Sequence, residues 1–100
     1  MNTIKKVSEI APIDVADYLR ITIIDGDDQR MLTNLIEVSK SFIKSYTGLT
    51  EEELDNYSDF IIVVLILCQD MWDNRTLYID KSNLNNVVDT ILGMHCRNLL

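Results

Sequence analysis

Two cysteines and one histidine are the residues of this sequence best suited to nucleophilic or metal chemistry. Cys68 and Cys96 lie far apart, neither belongs to a Cys-x-x-Cys pair, and His95 is the single imidazole. Two thiols and one imidazole fall short of the ligand set of a structural zinc site. Cys68 and His95 would form a catalytic pair only if the fold brought them together. We favour the alternative that Cys68 is a small apolar core residue, because free cysteines are usually buried.

An acidic run at residues 25–28 is the second candidate site, since clustered carboxylates can bind calcium. An EF-hand loop requires glycine at its sixth position and glutamate at its twelfth. Counted from Asp25, those positions hold Arg30 and Ile36. The spacing therefore excludes an EF-hand and indicates the N-terminus of a helix, where carboxylates meet backbone N–H groups that lack partners.

Other catalytic motifs are absent from the sequence, which has no glycine-rich phosphate loop, Gly-x-Ser-x-Gly elbow or His-Glu-x-x-His motif. The net charge is −7, from 16 acidic residues against nine Lys and Arg, and the only adjacent basic pair is Lys5-Lys6. Binding to nucleic-acid phosphates requires clustered cations. We therefore predict that the protein is not an enzyme, uses no metal or cofactor, and does not grip DNA.

The elements that would position these residues are predicted to be helices. A 100-residue chain with one Pro, three Gly and no long alternating stretch indicates one all-α domain, a small bundle. We predict four main helices, at residues 12–20, 26–47, 59–75 and 85–93, and a short helical turn at 51–55. Residues 1–11 and 94–100 are expected to be flexible.

Local signals support these boundaries. Pro12 suits a first helical position, Gly48 stands where a left-handed helix cap is wanted, and Thr50 with Glu53 has the spacing of a capping box.

Residues 60–68 form an uninterrupted apolar run at the start of the third main helix. A helix without a polar side has to be covered from every direction, so we expect this one to be surrounded. The β-branched residues of the run also permit a buried strand. Continuation into residues 69–72 without a turn signal favours the helix. The run is far shorter than the roughly 20 residues that a membrane span needs.

The end of the same helix carries candidate interface residues. Trp and Arg are frequent anchors of protein interfaces, so Trp72 and Arg75 are candidates, and Asn74 is suited to capping the helix end. In the alternative, Trp72 packs in the core of the monomer and Arg75 merely sits at a favourable helix C-terminus. The sequence supports the two interpretations equally.

In order and spacing, these segments resemble the phage head–tail connector family, also described as head-completion or DNA-packaging proteins. The resemblance spans about residues 12–92 and rests on Tyr18-Leu19-Arg20-Ile21, the acidic turn at 25–28, Tyr46-Thr47-Gly48, Met71-Trp72-Asp73-Asn74-Arg75, and Leu84 before Val88, Ile91 and Leu92. It implies a structural virion subunit that forms a homo-oligomeric ring below the portal, extends the DNA channel and allows tail attachment.

The resemblance also implies partners and a location. The partners would be further copies of the chain, the portal protein and tail-completion proteins, with DNA only as passing cargo and no membrane. The protein would act at the head–tail interface of the virion and occupy the host cytoplasm during assembly. The candidate interface residues are Trp72, Asn74, Arg75 and Tyr46. The alternative function is a small acidic helical protein-binding regulator encoded by a phage or prophage.

Overall fold

The computed structural model describes residues 6–22, 26–74, 76–79 and 84–95. Over these ranges the chain is all-helical and contains no strand. The elements are a 3-10 turn at Val7–Glu9 and five α-helices: α1 (Pro12–Leu19), α2 (Gly26–Thr47), α3 (Glu51–Leu54), α4 (Asp59–Asn74) and α5 (Asn86–Met94). The predicted helical bundle is confirmed, and the strand alternative for residues 60–68 is wrong. In the part of the chain described, no helix combines the length and apolarity needed to cross a membrane.

The helix α2 forms one long wall of the bundle, because its apolar residues recur every three or four positions and so share a face. Leu32, Leu35 and Ile43 on this face are fully buried. The helix ends where predicted. Gly48 follows with φ 77°, and its N–H donates to the carbonyl of Lys44 at 2.9 Å.

The short helix α3 turns the chain back from α2 to α4. Its capping box is present as predicted, with the Glu53 N–H donating to Thr50 Oγ1 at 3.2 Å and the Thr50 N–H to Glu53 Oε1 at 3.0 Å. Leu54 is fully buried beneath it. The nearly buried ammonium of Lys40 lies 3.6 Å from Glu51 Oε1, so an ion pair also fastens α3 to α2.

The apolar helix α4 is the centre of the bundle and contacts α1, α2, α5 and the 3-10 turn. It packs against α2, where Ser39 Oγ lies 3.6 Å from Cys68 Sγ. The expectation that every side of residues 60–68 is covered is wrong at Ile62, which is 37% exposed. The reason is geometric: within the described ranges, the surrounding helices leave one sector of α4 open.

The two terminal segments close the bundle. Val7 and Ile10, in a stretch expected to be flexible, are buried in the core. At the other end, Asn85 caps α5 by accepting the Val87 N–H at 2.8 Å, and Val88 and Leu92 are fully buried. The helix α5 continues through Gly93, where the sequence predicted its end, to Met94.

Candidate interaction surfaces

Cys68, the first candidate nucleophile, lies in the core as predicted. It is a free, fully buried cysteine whose Sγ is 3.6 Å from Ser39 Oγ. Burial raises the pKa of the Cys68 thiol to about 11, and the hydrogen bond with Ser39 offsets only part of that effect. The thiol is therefore protonated at neutral pH and makes a poor nucleophile.

His95 lies at a different level of α4 and joins the end of α5 to the start of α4. Its ring centroid is 4.4 Å from that of Tyr57 and 5.0 Å from that of Phe60, and its Nε2 is 3.3 Å from Asp59 Oδ2. Cys68 follows Phe60 by roughly 12 Å along the helix axis, at about 1.5 Å per residue. The structure therefore does not bring Cys68 and His95 together. Cys96 lies outside the described residues.

The acidic run at 25–28 has the helix-terminal position that its sequence indicates. Helix α2 begins at Gly26, Asp27 and Asp28 lie in its first turn, and Asp27 pairs with Arg30. Asp25 lies outside the described residues. Among the residues that are described, no group of three or more His, Cys, Asp or Glu side chains is arranged to hold a metal ion.

The candidate interface residues fall on two sides of the bundle. Trp72 is half-buried and packs against the core, whereas Asn74 is exposed and donates from Nδ2 to the carbonyl of Asp70 at 2.8 Å. This bond caps the end of α4. Tyr46 is half-buried, and its hydroxyl donates to Asp89 Oδ1 at 3.2 Å, which links α2 to α5. Arg75 lies outside the described residues. The interface assignment stays a prediction.

A side of α4 that is open to solvent was not predicted from the sequence. Ile62 is exposed, Ile66 is half-buried and Gln69 is exposed, and we call these three residues the α4 stripe. Their spacing of four and then three residues places them on one side of a helix. The signal in the sequence was the polar residue Gln69. Ile66 and Ile62 precede it by three and seven residues, and positions at this spacing share one side of a helix.

A groove lies at the C-terminal end of α4, between that helix, residues 76–79 and Leu84, which precedes α5. We call it the α4–α5 groove. It has a volume of about 460 Å³ and is lined, among the described residues, by Leu67, Asp70, Met71, Asn74, Thr76, Tyr78, Ile79 and Leu84. Burial raises the pKa of the Asp70 carboxyl, and the nearby charge of Asp73 adds to the rise. No sequence motif pointed to this groove.

The surface of the described residues is predominantly acidic. Its exposed basic residues are Lys6, Arg20 and Arg30. The exposed acidic residues are Glu9, Asp17, Asp27, Glu37, Glu51, Glu52, Asp59, Asp70, Asp73 and Asp89. This part of the chain presents no cluster of cations for contact with phosphates.

No protein-family model, curated protein or solved structure matches this chain. The resemblance to phage connectors therefore stays a prediction from the sequence.

Proposed function

We propose that the protein is a structural head–tail connector subunit of a phage, which assembles as a ring below the portal, extends the DNA channel and allows tail attachment. The observation that carries the proposal is the α4 stripe. The apolar helix α4 at the centre of the bundle is open to solvent at Ile62 and partly open at Ile66. A neighbouring subunit would complete the cover that the described part of one bundle leaves unfinished.

The free energy gained by burying the two isoleucines of the stripe is too small to hold an interface by itself. Full burial of an isoleucine side chain contributes about 1.5–3 kcal/mol, and Ile62 is already more than half buried, so the two isoleucines supply only a small share. A stable interface buries on the order of 1,200–2,000 Å². The α4 stripe would therefore be the apolar centre of a wider contact.

In this proposal, Trp72 would widen that contact. It follows Gln69 by three residues, which puts it about 60° around α4 from the end of the stripe. The side chain packs against the core with one part and remains partly accessible with the rest. A tryptophan that is half-covered in the monomer and next to an apolar stripe is a suitable interface anchor.

The acidity of the bundle is consistent with a DNA conduit. Passing DNA would be held by clustered lysines and arginines, because such contacts dominate affinity for the phosphate backbone. The chain carries a net charge of −7, and the exposed cations of the described residues are scattered. A channel wall of this kind lets DNA move through without binding it.

Light scattering coupled to size-exclusion chromatography, together with negative-stain microscopy, tests the proposal. The wild-type protein is examined over a concentration series, alone and with portal protein. We expect rings, and we expect Ile62→Lys to abolish them while the monomer remains folded. The matched control is Ile13→Lys, which alters an isoleucine that is 56% exposed on α1 and should leave assembly intact. A wild-type monomer at every concentration, with no ring on the portal, would contradict the proposal.

The acidic surface favours the second candidate function, a small protein-binding regulator. A negatively charged bundle resembles DNA in charge and suits occupation of another protein's basic groove. This candidate requires a stable one-to-one complex with a repressor, polymerase or nuclease, measured by pull-down followed by light scattering. A one-to-one complex and no ring would favour the regulator over the connector.

A further inference from the structure

We draw no further inference here: the strongest candidate, the side of α5 that carries exposed Val87, half-buried Ile91 and exposed Met94 at helical spacing, is an apolar helix face, and nothing in the described part of the chain shows what covers it.

Discussion

The two ends of α4 differ in how well the described residues pack against them and compensate their charges. At the start of the helix, the rings of Tyr57, Phe60 and His95 pack together, and His95 lies within hydrogen-bonding distance of Asp59. The charge of Asp59 also lies at the positive end of the helix dipole, where it is favourable. This end is stabilised by packing, by hydrogen bonding and by the direction of the helix.

The other end of α4 combines features that cost stability. Asp70 and Asp73 stand at the negative end of the same dipole, and Asp70 borders a groove of about 460 Å³. Natural proteins tolerate such unfavourable groups where function requires them. Among the described residues, α4 is therefore anchored by packed rings at its start and carries unfavourably placed carboxylates at its end. The predictions below test that difference.

The largest expected effect is the loss of the aromatic anchor at the start of α4. Phe60 is fully buried, with its ring centroid 5.8 Å from that of Tyr57. We expect Phe60→Ala to lower the free energy of unfolding by about 3–5 kcal/mol, measured by urea denaturation. Trp72→Ala, at the other end, should cost only about 2 kcal/mol, because that side chain is half-buried.

Trp72→Ala and Phe60→Ala should also differ in their effect on ring assembly. Trp72→Ala should abolish ring formation at protein concentrations where the monomer is still folded. A loss of stability at Trp72 as large as that at Phe60, with assembly intact, would place Trp72 in the core and remove it from the interface.

The next largest loss of stability is expected at His95, which packs the end of α5 against the start of α4. We expect His95→Ala to cost about 1–2 kcal/mol, because contacts with two aromatic rings are lost together with the hydrogen bond to Asp59. Asp59→Asn should cost less than about 1 kcal/mol, since the Asp59 side chain is 49% exposed and solvent screens the pair. Thermal denaturation of both variants checks the order. An equal loss for both would mean that the contact with Asp59, and not the ring packing, holds α5.

A smaller effect, a gain in stability, is expected at Gly93, two residues before His95. Gly93 is an exposed glycine inside α5, and a Cβ added there would meet no atom within 4 Å. Gly93→Ala should raise the free energy of unfolding by about 0.5–1 kcal/mol, because alanine loses less backbone entropy in a helix. Thermal and urea denaturation measure the gain. A destabilised variant would show that α5 needs a flexible residue beside His95.

The helices could be predicted because their signals are local. The capping box at Thr50 and the left-handed position of Gly48 depend on neighbouring residues only, and both are present in the structure. The end of α5 was misjudged at Gly93, because a glycine interrupts a helix only when packing on either side fails to hold it. Buried Leu92 lies next to it, and half-buried His95 packs against α4 two residues later.

The interaction surfaces could not be predicted in the same way, because they depend on which helix covers which. The apolar run at 60–68 required cover, but no sequence pattern could tell that Ile62 faces the open sector. The α4–α5 groove joins Asp70 to Leu84 across two elements, so its lining is visible only in the fold. Cys68 and His95 kept a catalytic alternative open until the structure separated them along α4.

The smallest predicted effect is a pH-dependent change in stability at Asp70, near the C-terminal end of α4. Because burial and Asp73 raise the pKa of Asp70 in the folded state, ionising Asp70 destabilises the fold. The stability that Asp70 contributes is complete below its unfolded pKa and is lost as pH rises through the higher folded pKa. Asp70→Asn should therefore stabilise the protein at pH 7, by about 0.5 kcal/mol or less since solvent screens this exposed carboxyl, and should have no effect near pH 2. Urea denaturation of both proteins across this pH range measures the difference. An Asp70→Asn variant less stable than the wild type at pH 7 would mean that Asp70 is already satisfied within the chain, and the contrast between the two ends of α4 would fail.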